Sequence, residues 1–135
     1  MVLLRFRAWD KIHKTMYEVD DIMSIDFGKS EISVKTLFFE RTNYYKFDDI
    51  VLMQSTGLKD KNGKEIFEGD ILKVTNLSSW LEVVSFNEDK AMFVSKETNR
   101  KVEETPLYDL FNTDIFEIEI IGNIYTNPEL AEVSS

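Results

Sequence analysis

Residues 57–70 read "GLKDKNGKEIFEGD" and gather Gly, Asp, Glu and Lys more densely than any other stretch of the 135-residue chain. Two readings compete: a loop that holds a metal or a phosphate, or a turn with two strand ends attached. A helix–loop–helix calcium site needs D-x-[DN]-x-[DN]-G-x5-E. With Asp60 first, Asn62 fits the third position, but Lys64 stands at the fifth and Glu65 at the sixth. A cation thus replaces a ligand, and the glycine of the sharp bend is missing. A phosphate loop, G-x4-G-K-[ST], fails as well, because Glu65 follows Gly63-Lys64 and Leu58 stands where the first glycine belongs. What survives is Asn62-Gly63, a strong hairpin signal when both central residues take positive φ. "TGLKD" leads into that turn, "KEIF" leaves it, and Gly69-Asp70 ends the arm and launches "ILKV". The cluster is read as structural punctuation.

Outward from it, alternation with a period of two recurs, the mark of half-buried strands. Leu4, Phe6 and Ala8 fall on one face of "LLRFRAWD", with Arg5, Arg7 and Trp9 on the other. Met23, Ile25 and Phe27 are expected inward, then Ile32 and Val34, and finally Phe116, Ile118 and Ile120 with Glu117 and Glu119 outward. "IVLMQ", "DILKV", "LEVVSF" and "AMFVS" are further β-rich runs, and "DFGKSE" and "FNEDKAMF" read as hairpins. Helix signals are few. Thr105-Pro106 reads as a cap followed by proline at the first helical position, with Leu107, Leu110 and Phe111 on one side, which predicts one or two turns of helix over 106–112. Asn127-Pro128-Glu129 makes a shorter start. The prediction is a mainly β fold of eight to ten short antiparallel strands forming a small barrel or sandwich, with one or two short helices. Residues 1–56 would be an N-terminal β-meander and 57–135 a small barrel-like region with a short C-terminal helical turn; one continuous domain is the alternative.

Composition narrows the function. Aromatics make up 13% of the chain, which is enough apolar material for a core and excludes global disorder. The absence of cysteine removes disulfides, Cys-ligated zinc, iron–sulfur clusters and thiol nucleophiles. "MVLLRFR" has too short an apolar run for a signal peptide, and no run approaches the roughly 18–20 apolar residues of a membrane helix. A cytoplasmic protein is expected. Charge is uneven. Residues 1–75 hold 12 basic and 13 acidic side chains, whereas residues 76–135 hold 4 and 12, so the net charge of −9 divides into −1 and −8. Such a field opposes nucleic-acid binding.

Three blocks then take on meaning together. "FRAWD" followed by Met16, then "GLKDKNGKEIFEGDIL", then "IIGNIYTNPEL" resemble the YopX family of phage and prophage proteins, in the same order and from Phe6 to Leu130. Segments 17–55 and 76–115 are where members differ. The resemblance implies a small, mainly β protein encoded by a temperate phage or an integrated prophage of a bacterium. It brings no catalytic residue, cofactor or metal ligand with it.

Candidate sites from the residues themselves are sparse. His13 is the single histidine. A zinc site would need three carboxylates around it, and a serine triad an orienting acid that the sequence does not place. Asp20-Asp21 and Asp48-Asp49 cannot each converge on one substrate atom from a strand, because neighbours point to opposite faces, so turn or strand-end positions are expected for them. "RFRAWDK" offers Arg5, Arg7, Trp9 and Lys11 on one strand face, a possible interaction surface that could stack bases and grip phosphates. The competing expectation, favoured by the overall charge, is that this row pairs with Glu117 and Glu119 of the last strand. No catalytic, cofactor or metal site is assigned. The expected function is a non-enzymatic protein-interaction module for a host or phage partner, with homo-oligomerisation through the same surfaces as an open form of it; the alternative is an acidic decoy of DNA acting on a host DNA-binding enzyme.

Overall fold

A computed structural model describes residues 4–38, 40–98 and 101–131, and the chain divides into two compact units, Met1–Gln54 and Ser55–Ser135. Among the described residues the fold is mainly β with only short 3-10 turns besides, as the alternation predicts.

The first unit holds β1 (Phe6–Asp10), β2 (Thr15–Tyr17), β3 (Ile22–Asp26), β4 (Glu31–Val34), β5 (Asn43–Lys46) and the first half of β6 (Ile50–Lys59). β1 lies between β2 and β6, and β4 lies between β3 and β5. Both sheets contribute to one core of Ala8, Tyr17, Ile32, Val34 and Ile50, against which Ile22, Ile25, Tyr45, Phe47 and Leu52 pack. Full burial of Ile32, Val34 or Ile50 is worth about 1.5–3 kcal/mol each relative to exposure. Asp20-Asp21 and Asp48-Asp49 sit in 3-10 turns that lead into β3 and β6, the strand-end positions expected of them.

The expected inward set of β3 is only partly found. Ile25 packs on the core, but Met23 is 61% exposed and Phe27 72%. The register explains Met23: Ile22 pairs with Val34 and Ser24 with Ser33, so a β-bulge inserts Met23 and breaks the alternation there. Ile22 takes the inward place instead. Phe27 lies beyond the strand, in the turn, edge-on to Phe47.

The second unit continues β6 into β7 (Glu65–Phe67), then β8 (Asp70–Thr75), β9 (Ser79–Asn87), β10 (Met92–Glu97), β11 (Thr105–Pro106) and β12 (Glu117–Asn123). Five of these form a sheet in the order β11-β10-β9-β8-β12. Its core is Ile66, Leu72, Val74, Val84, Leu107, Leu110 and Ile118, with Phe116 and Ile120 packed alongside as the alternation required. The expected helix at 106–112 is a single 3-10 turn, Leu107–Leu110, whose two leucines are buried. Thr105 does not cap it. Thr105 and Pro106 pair with Ser95 and Val94 as a two-residue edge strand, and edges are where proline is tolerated. At the C-terminal end, Pro128–Ala131 form another 3-10 turn.

Four hairpins share one device. In three of them an Asx residue closes a strand and its side-chain oxygen accepts the N–H three residues on: Asp10 from His13 at 2.9 Å, Asp26 from Lys29 at 3.0 Å, Asn87 from Lys90 at 2.9 Å. The next residue turns left-handed, at Lys14 (φ 52°), Ser30 (φ 53°) and Ala91 (φ 54°). The fourth is the 57–70 stretch, one residue shorter. Gly63 has φ 79°, while Asn62 is not among the positive-φ residues, so the expected two-residue turn is replaced by a three-residue loop. The reason is Asp60. Its Oδ1 accepts the N–H groups of Asn62 and Lys64, both at 2.9 Å, and its own N–H reaches Lys64 O. Carboxylate capping fixes the loop, and glycine supplies the one positive φ.

Candidate functional site

Three places gather candidate functional side chains. The first is the predicted basic row on β1. Arg7 is 6% and Trp9 8% exposed, because β1 is flanked on both sides and Met53, Val51 and Met16 stand opposite them in the register. Only Arg5 and Lys11, at its ends, are exposed, and Lys11 Nζ donates to the Asp48 carbonyl at 2.9 Å. β1 pairs with β2 and β6, while Glu117 and Glu119 each lie 3.6 Å from Lys61 Nζ.

The second is the β1–β2 hairpin. Asp10 is fully buried; its Oδ1 accepts the N–H groups of Ile12 and His13, and its Oδ2 accepts the Tyr17 hydroxyl at 2.8 Å. His13 Nδ1 lies 2.7 Å from the same Oδ2. Burial pushes the Asp10 carboxyl up, but the donors from His13, Tyr17 and Ile12 outweigh it and hold the group below its ordinary range. An ionised acceptor places the imidazole proton on Nδ1. Tyr17 has one proton to give, so Tyr45, 3.0 Å from it, donates in turn. Burial first, then the bonds to Tyr45 and Asp10, push the Tyr17 phenol far above its usual value. The orienting acid that the sequence did not place is therefore Asp10, three residues before His13. The dyad has the form of the base half of a triad. Thr15, the hydroxyl on the same hairpin, donates to His13 O at 3.0 Å, so it serves the turn. Beside the dyad lies a cavity of about 510 Å³ lined by Met16, Tyr45 and the exposed Leu37 and Phe38.

The third lies in the second unit, and sequence reasoning missed it. Along β9, Trp80, Glu82 and Val84 share the face that looks into the core, since Glu82 stands opposite the buried Leu72. A carboxylate therefore occupies a core-facing position and is only 7% exposed. Two donors hold it: Trp80 Nε1 to Oε2 and Ser95 Oγ to Oε1, both at 2.7 Å. Directly across on β10 stands Glu97. These residues floor a cavity of about 640 Å³. Glu103 and Asp109 add carboxylates to its walls, and Leu110 and Phe116 add apolar surface. Trp80 and Phe116 meet edge to face at 5.9 Å. Among the described lining residues none is basic. The signal was present in "WLEVVSF": a Glu at an inward position of an otherwise apolar run.

Among the described residues no three His, Cys, Asp or Glu side chains group closely enough to hold a metal ion, and no helix is long and apolar enough to cross a membrane. Asp60 and Glu65 serve the hairpin: Asp60 caps it, and Glu65 accepts the Ser55 hydroxyl.

No curated protein matches the sequence. Two crystal structures resemble the fold. One is of a protein from Enterococcus faecalis, 27% identical with a TM-score of 0.62, matching 98% of this chain and all 100% of the other. The second is of the yopX protein from Bacillus subtilis, 25% identical with a TM-score of 0.64, matching 95% of this chain and 98% of that one. A family model described as YopX protein matches residues 5–132, nearly the whole chain, so this protein belongs to the YopX family.

Proposed function

We propose that this chain is a non-enzymatic protein-interaction module, encoded by a phage or prophage and acting in the bacterial cytoplasm on a host or phage protein. The observation that carries the reading is the cavity of the second unit. Its carboxylates and aromatic rings are recognition chemistry, with anchoring aromatics in a hollow and charge to orient a partner. Exposed Leu37 and Phe38 in the first unit are a second apolar surface of the kind that partners cover. A photo-crosslinking residue in place of Val102, on the cavity wall, should yield a discrete adduct in the producing cell, lost when Asp109→Lys is added. The same probe at Lys90, in the β9–β10 turn, should not. Adducts indifferent to probe position would sink the proposal.

An acidic decoy of DNA is the second reading, favoured by the −8 carried by residues 76–135. It requires that duplex DNA compete the crosslinked partner away. A partner that stays bound in excess DNA removes that version.

A further inference from the structure

We infer that Asn62 is a site of spontaneous covalent modification: water hydrolyses its side-chain amide through a cyclic imide formed with Gly63, at a rate that the Asp60 cap sets. This chemistry is independent of what the protein binds. The chain holds one Asn-Gly pair, and the exposed residues Lys61 to Lys64 place it at the tip of the β6–β7 hairpin. The Gly63 nitrogen gives its proton to water or hydroxide and attacks Asn62 Cγ. The bond from Cγ to the amide nitrogen breaks, and that nitrogen leaves as ammonia. A water molecule then opens the imide at either carbonyl. Opening at Cγ leaves an aspartate. Opening at the main-chain carbonyl leaves an isoaspartate, whose backbone runs through the former side chain and is longer by a methylene. Amide and water become carboxylate and ammonium, with no change of oxidation state. Glycine keeps the attack open: no Cβ crowds its nitrogen, and no atom lies within 4 Å of the place one would take.

Asp60 restrains the reaction. Its main-chain oxygen accepts the Gly63 N–H at 3.0 Å, a bond that must open before the nitrogen can attack. Its Oδ1 holds the N–H groups of Asn62 and Lys64 on either side. Conversion in the folded chain therefore proceeds through local openings of the loop. At Asn87, Asn123 and Asn127 the side-chain oxygen is itself the acceptor that closes a turn. At the 60–64 loop the Asp60 carboxylate takes that role, so the loop closes without the Asn62 amide. An isoaspartate would still disturb it. The added methylene falls between the two N–H groups that Asp60 Oδ1 receives, so both cannot stay at 2.9 Å. The other oxygen of that carboxylate holds the Ile120 N–H at 3.0 Å, which passes the change at 62 on to β12.

Peptide mapping by mass spectrometry of the full chain, kept folded at mildly alkaline pH, follows amide-to-acid conversion at each asparagine. An L-isoaspartyl methyltransferase with labelled S-adenosylmethionine counts the isoaspartate. Acid should accumulate at 62 ahead of every other asparagine, and about a hundredfold more slowly than in the same chain unfolded in urea. Asp60→Asn, with folding checked by circular dichroism, should speed conversion about tenfold through loss of the charged acceptor. Gly63→Ala loosens the loop but crowds the nitrogen, so conversion should drop severalfold even as stability falls. An Asn62 that keeps its amide, another asparagine converting first, or equal rates in the folded and unfolded chain would each overturn the assignment. So would an unchanged rate in Asp60→Asn or a faster one in Gly63→Ala. Should Asp60→Asn not fold, the comparison with urea and the Gly63→Ala rate decide alone.

Discussion

Asp60 shows how far one side chain can organise its surroundings. Its Oδ1 caps the 60–64 loop, and its Oδ2 accepts the Ile120 N–H of β12 at 3.0 Å. Burial works against the charged form, but the N–H groups of Ile120, Lys64 and Asn62, with the Lys64 charge, hold the carboxyl below its ordinary 3.8. A folded value below the unfolded one means that the unfolded chain binds more protons, so this stability is present above pH 3.8 and is lost as pH falls through the folded value. Asp60→Asn presents an amide N–H₂ to a backbone donor and should lower stability by about 1–3 kcal/mol. Urea midpoints measured from pH 7 down to pH 2 should show a flatter acid limb in that variant. An unchanged limb would refute the assignment. Tyr17 gives the mirror case. Its phenol is raised above 10.0, so its contribution is complete below pH 10 and disappears as pH rises further. Tyr17→Phe should cost about 1.5–3 kcal/mol at neutral pH by removing a bond to a charged acceptor. Its urea midpoints should also decline less than those of the native chain above pH 10; a decline as steep as the native one would count against the assignment.

The hairpins divide what was legible from what was not. β12, with its alternation, and β8 and β9, as longer β-rich runs, could be read directly. Thr15–Tyr17, Asn43–Lys46 and Thr105–Pro106 could not, because two or three residues are too few to establish a period and NYYK at 43–46 does not alternate. The bulge at Met23 was hidden for a related reason: an inserted residue is visible only against its partner strand. Turn type was misjudged at Asn62-Gly63 because the Asx two positions earlier decided it, and the same signal recurs at Asp10, Asp26 and Asn87. The left-handed residue in each longer loop lacks a glycine. Ala91→Gly should therefore stabilise the chain by about 0.5–1 kcal/mol, the left-handed penalty less the entropy glycine adds to the unfolded state. Gly63→Ala should do the reverse by about 1–2 kcal/mol through conformation alone, since its Cβ would meet nothing within 4 Å. Thermal melts of the two variants should move in opposite directions. Shifts of one sign would refute the shared-loop account.

The whole chain reads as β sheet from its sequence, but its candidate site did not, because a carboxylate among apolar residues shows its meaning only when the sheet face is known. Protection should follow the sheet order. Amide hydrogen exchange should be slowest in β8 and β9, interior strands of the five-stranded sheet, and fast in β2, β5 and β11, which lie at edges. Uniform protection would contradict that topology. β12 is the instructive exception among the edges. Its outer side is occupied, because Lys61 N–H donates to Ile118 O at 2.8 Å and Asp60 takes the Ile120 N–H. The densest charged stretch of the sequence thus acts as a stopper. It fills the bonding positions that would otherwise recruit a neighbouring molecule's strand into fibrils, and a chain shortened through 61–63 would be expected to polymerise end on end.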